Sequence, residues 1–249
     1  MSMPVSIGLL IWIWQMKKYN PFPRFTFVKL LIAGAIAGTV SAIITLIGAI
    51  ANAVIDIGPE QLQMLADPAT SAQTLQQINA AAKVITPDSI IRGFIRTFIL
   101  VGFVEEFIKF ICSKVVMRKE GVVYTWMDAL LCMTVVAIGF QVVEDIGYSS
   151  DIMTAIFRAL TPFHFTFGVI MGYFYGLGKV KGNSLYIIPT IGVPALIHTL
   201  YDFSIKLLRR NDNFIFFNLG MNAGMMILTV VMILKLRKWH KEGTLDYYI

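Results

Sequence analysis

Charge is what this sequence has least of. Asp, Glu, Lys and Arg make up 14% of its 249 residues and hydrophobic residues 57%. A soluble domain carries about 25% charge, because its surface has to face water. A chain this poor in charge cannot coat a globule, so its apolar surface must face lipid. The same composition excludes disordered and collagen-like readings. Cysteine is scarce too: the two present, Cys112 and Cys132, lie inside apolar runs and form no disulfide framework. No G-x-S-x-G, H-E-x-x-H or Walker loop occurs. The first apolar run lacks both a positive flank before it and a small-residue cleavage site after it, so it does not read as a signal peptide. Nor does the net charge of +6 point to nucleic acid, since 13 of the 21 Lys and Arg sit in four short clusters between apolar segments. Clusters so placed encode membrane topology.

What is present is a series of apolar runs. About 20 residues cross a hydrocarbon core of ~30 Å. Seven candidate spans follow, at about residues 4–15, 30–55, 95–115, 124–148, 159–178, 185–205 and 214–234. The expected fold is therefore all-α, a polytopic transmembrane helix bundle in one domain over residues 1–249. Its longest loop is the Gln- and Ala-rich stretch 58–90. One set of loops holds 13 Lys and Arg and the opposite set 7. The richer side is assigned to the cytoplasm, which puts the N-terminus outside a cell membrane and the C-terminus inside. Gly34/Gly38, Gly168/Gly172/Gly176 and Gly220/Gly224 recur every four residues and mark faces where helix backbones approach closely.

Ionisable side chains at membrane depth are costly, and each is a functional candidate. Glu105, Glu106 and Lys109 lie in the third span. Glu144 and Asp145 end the fourth, with Phe140 one turn before Glu144. His164 is in the fifth span, and His198 and Asp202 share a face of the sixth at i, i+4 spacing. Plainer readings stand beside these: Glu105 with Lys109 as a structural ion pair, Asp128 and Asp145 as interfacial, His198 with Asp202 as an inert hydrogen bond. Depth argues against coincidence. At 1.5 Å per residue, Glu105, Glu144, His164 and His198 fall at ~13, ~6, ~9 and ~12 Å below the outer interface. Carboxylates and imidazoles gathered in a low dielectric need protons or a bound cation. They form the ligand set of a catalytic zinc. Without metal they supply a glutamate base, a histidine partner and oxyanion donors. A proton or cation relay in a transporter would use the same groups, but Pro189 and Pro194 interrupt only the sixth span, not a matched pair of helices. A catalytically silent membrane scaffold is the third reading.

These motifs resemble the PrsW-type intramembrane proteases, relatives of the CAAX-protease and bacteriocin-processing group. The resemblance rests on Glu-Glu-x-x-Lys (Glu105, Glu106, Lys109), Phe-x-x-x-Glu (Phe140, Glu144), the lone His164 and His-x-x-x-Asp (His198, Asp202). A turn at residues 19–24 matches the family's early signature. In the family an Asn often follows the second-motif Glu; here Asp145 does. The resemblance implies an intramembrane endopeptidase acting on a membrane-embedded or membrane-anchored protein such as an anti-sigma factor. It implies Glu105 as general base and Glu106 as its neighbour orienting water. Glu144 and His164 would hold the water or a metal such as zinc. His198 and Asp202 would stabilise the oxyanion or complete the metal shell, with Glu144, His164 and His198 as the metal set and Lys109 and Phe140 in support.

Overall fold

The computed structural model describes residues 3–15, 24–83, 85–147 and 161–246. Residues 19–23 of the early turn, and residues 148 and 159–160 of the fourth and fifth expected spans, lie outside these. The described residues are helical: α1 (Met3–Gln15), α2 (Arg24–Ala66), α3 (Ser71–Lys83), α4 (Pro87–Thr97), α5 (Val104–Glu120), α6 (Trp126–Gly147), α7 (Phe163–Val180), α8 (Ile187–Arg210) and α9 (Ile215–Lys241). By length and composition, four helical stretches among them can cross a membrane: Phe25–Ala66, Trp126–Gly147, Ser184–Arg210 and Asp212–Lys241. With 13 residues, α1 is about 20 Å long and falls short of a ~30 Å core.

At the centre stands α6, 89% of whose apolar window is buried. It packs against α2 on one side and α7 on the other. Its start is fixed by Asp128, whose Oδ2 accepts from the backbone N–H of Tyr124 (3.0 Å) and Thr125 (2.9 Å). Asp128 is buried and forms the acidic half of a capping box, since Thr125 Oγ1 accepts in turn from the Asp128 N–H at 3.3 Å. The outer helices leave Ile43, Ile47 and Ile50 of α2 and Phe216, Ile227 and Leu234 of α9 exposed. Apolar faces this extensive suit lipid, not water.

Glycine lets α2, α6 and α7 approach. A Cβ on Gly34 would stand 2.1 Å from the Val136 carbonyl oxygen, one on Gly139 2.3 Å from that of Leu31, and one on Gly172 2.4 Å from the Leu130 Cα. Gly220 and Gly224 differ from the expectation, since a Cβ on either meets nothing within 4 Å. Their spacing gives a smooth stripe, but no neighbouring helix packs on it.

The stretch 58–90 is not a loop. Helix α2 continues across a break at Gly58 (φ 76°), where the chain takes a left-handed turn that favours glycine. Pro59 then restarts the helix, and α3 and α4 follow. Gln and Ala are good helix formers, which accounts for helix where polarity alone suggested a loop. Thr86 caps α4, accepting from the Ser89 N–H at 3.1 Å.

Candidate active site

The helix that delivers the first acids is irregular. Between α4 and α5 lies a π-helical segment, Phe98–Phe103. An inserted residue turns the following face by about 100° relative to an unbroken α-helix. The segment is held from both sides. Thr45 Oγ1 of α2 donates to the Leu100 carbonyl at 2.9 Å. On the other side Gly102 meets α8 so closely that a Cβ would lie 2.5 Å from the Ala195 carbonyl oxygen. The turn of backbone before Glu105 is thereby pressed against the helix that carries His198.

Four helices converge. Glu106 and Lys109 are 0% and 1% exposed. Lys109 Nζ donates to Glu106 Oε1 at 2.8 Å, contacts His164 Nδ1 at 2.9 Å and lies 3.7 Å from the centre of the Phe140 ring. An ammonium can only donate, so His164 Nδ1 accepts and the ring proton sits on Nε2, which donates to Glu144 Oε2. Glu106 Oε1 also meets His198 Nδ1 at 3.0 Å. That contact leaves His198 Nε2 facing Asp202 Oδ2 at 3.6 Å and Glu105 Oε2 at 3.8 Å. Glu105 Oε2 is buried without a hydrogen-bond partner, while the side chain as a whole is 12% exposed.

A cavity of about 20 Å³ opens beside these groups, lined by Glu144, His164, His198 and Asp202. Gln141, Thr161, Phe163 and Tyr201 complete its wall. It has room for about one water. The sequence reading passed over all four wall residues, although Gln141 stands three before Glu144 and Tyr201 three after His198, each on the motif's own face. It also set Glu106 beside a water, whereas here Glu106 is the common anchor of Lys109 and His198. Asp145 is half-buried at the end of α6.

For a metal, no group of three or more His, Cys, Asp or Glu stands ready among the described residues. In the expected set of Glu144, His164 and His198, the His164 Nε2 proton is directed at Glu144. The donors around His198 Nε2 fit better. Two ligands ~2.1 Å from one tetrahedral ion stand about 3.4 Å apart, close to the 3.6 and 3.8 Å that separate this nitrogen from Asp202 and Glu105. A bare nitrogen would meet both oxygens lone pair to lone pair, so a proton or a cation belongs between them. The Glu106 contact to Nδ1 is the kind that orients a metal-binding imidazole.

Residues 23–235 match the family described as "PrsW family intramembrane metalloprotease". Similar proteins include Protease PrsW of Halalkalibacterium halodurans, 32% identical over 43% of this chain, which spans about half (53%) of that relative. Protease PrsW of Oceanobacillus iheyensis is 28% identical over 61% of this chain and 71% of its own length. That of Shouchella clausii is 30% identical over 57% and 67%. No solved structure matches.

Proposed function

Because the chain belongs to the PrsW family of intramembrane metalloproteases, we propose that it is an endopeptidase cutting a membrane-embedded or membrane-anchored protein, with an anti-sigma-factor-like regulatory protein as substrate class. One observation carries the reading: carboxylates and imidazoles from α6, α7 and α8 line a cavity that fits a single water, and His198 joins them to Glu106 of α5. Peptide hydrolysis needs a base for water, donors for the oxyanion and a proton for the leaving amine. Glu105 is the base, since its Oε2 makes only the longer approaches of 3.8 Å to His198 Nε2 and 3.9 Å to Lys109 Nζ and its side chain keeps some exposure. Glu144, oriented by the His164 Nε2 proton, holds the water in the cavity. His198, steadied by Glu106 through Nδ1, stands with Asp202 where the carbonyl oxygen gains charge, and the proton that Glu105 takes from the water passes to the leaving amine. Lys109 fixes the His164 tautomer and balances Glu106. The residues that would hold a divalent ion are His198, Asp202 and Glu105, and such an ion would supply a more acidic water and a polarised carbonyl.

The test uses purified protein in liposomes with a single-pass membrane protein as substrate. Wild type is expected to release a fragment, and Glu105→Gln to release none while keeping its thermal stability. Full turnover by the Gln variant would remove Glu105 from the mechanism. No fragment from any single-pass substrate would count against the peptidase reading.

A further inference from the structure

A second site lies at the other end of the bundle. Two adjoining cavities, of about 590 and 290 Å³, run between the C-terminal ends of α5 and α7 and the start of α8. Lys114, Tyr175 and Lys179 line both, Arg118 the smaller, and Asn183 and Tyr186 the larger. No carboxylate is among the lining residues. Of the acids of α5 and α6 at this end, Glu120 accepts from Lys29 (2.6 Å) and Thr26 (3.1 Å), and Asp128 accepts from the Thr125 N–H (2.9 Å). Lys114 Nζ lies 5.6 Å from the centre of the Phe110 ring and Lys179 Nζ 5.7 Å from that of Tyr175. Each ammonium group thus stands over an aromatic ring at the groove.

We propose that this groove binds the phosphate headgroup of an anionic phospholipid. Lys114, Arg118 and Lys179 have no acidic partner among the described residues, and phosphate is the anion that a membrane presents at interfacial depth. Two tyrosines beside them suit the headgroup level. The apolar wall from Met117, Val123 and Ile187 continues the groove and gives an acyl chain a path that free phosphate would not use. The site is separate from the hydrolytic one. Lys114 follows Glu105 by about 14 Å along α5, and Lys179 follows His164 by about 23 Å along α7. It also lies at the end whose loops hold 13 of the Lys and Arg.

The full chain, in neutral detergent, is offered phosphatidylglycerol, phosphatidylcholine or inorganic phosphate. Thermal shift and native mass spectrometry give the readouts. Phosphatidylglycerol is expected to raise Tm and to be retained as a bound lipid, whereas phosphatidylcholine and inorganic phosphate do neither. Lys114→Gln with Lys179→Gln should weaken phosphatidylglycerol binding on the order of tenfold or more. The Arg pair at the same positions should keep it. Equal binding of both lipids by wild type overturns the proposal without any variant. Equal stabilisation by inorganic phosphate overturns the lipid as its source, and unchanged binding by a folded Gln pair overturns the residues.

Discussion

At the scale of single residues, the two adjacent glutamates divide the work. Glu106 Oε1 is locked between Lys109 and His198, whereas Glu105 Oε2 makes only the longer approaches of 3.8 Å to His198 and 3.9 Å to Lys109. Breaking a buried pair on one side strands the other charge, at a cost of about 3–5 kcal/mol. Lys109→Met should therefore lower thermal stability by that amount. Adding Glu106→Leu to it should recover part of the loss while the enzyme stays inactive, because an apolar pair strands no charge. A single variant as stable as wild type, measured by thermal denaturation in detergent, would show that Glu106 finds another partner. A metal held at His198, Asp202 and Glu105 predicts that chelation lowers turnover and that zinc restores it. Elemental analysis of the purified protein, alongside unchanged turnover after chelation, would settle for the metal-free route. The residue types and their order were readable from the sequence, because buried charge is rare enough to stand out. Which glutamate anchors and which stays open was not readable, since adjacent residues differ by about 100° around a helix and the π segment decides how they face.

At the scale of elements, the small-residue stripes split into two kinds. Gly139→Ala would push its new methyl into the Leu31 backbone, and such overpacking costs about 1–3 kcal/mol. Gly224→Ala meets nothing, and Ala is better than Gly inside a helix by roughly 0.5–1 kcal/mol. Thermal denaturation of the two variants should move in opposite directions. A fixed period of four reveals close packing only when a partner helix is there, and the sequence does not name partners. For the same reason 58–90 looked like a loop, since a polar stretch without apolar periodicity gives no helix signal while its composition favours one. A second tie is electrostatic. Glu120, past the apolar part of α5, is held below its ordinary value of 4.5, chiefly by the Lys29 hydrogen bond from the start of α2. A depressed folded value means that the tie contributes above the unfolded value and is lost as pH falls through the folded one. Wild type should therefore lose stability below about pH 4.5, and Glu120→Gln should show less of that loss. Parallel curves for the two proteins would remove this link.

At the scale of the whole molecule, the site sits toward one end of the bundle, not at its middle. If the Lys and Arg bias reports the orientation, that end faces outward, and the expected depth of the polar groups is ~6–13 Å by helix rise. Water reaches such a layer more easily from its own side than across the remaining apolar half. A substrate helix must unwind there to expose a carbonyl. Cleavage is expected within the outermost ~9 residues of the substrate span, or just outside it. Mass spectrometry of the released fragment reads the position directly. A cut in the cytoplasmic half would invert the assigned orientation.

The Glu106–His198 contact spans 92 residues of sequence, and this bears on how the protein is made. Chains emerge at about 5–20 residues per second, so α5 waits on the order of 5–18 s for the imidazole that completes its charge set. Lys109 comes within the same turn and a half, and it can neutralise one of the two carboxylates at once. The other must stay near water or carry a proton until α8 arrives. The ion pair that later steadies the site thus first serves as an escort, letting a doubly acidic helix wait at the bilayer before it is taken in.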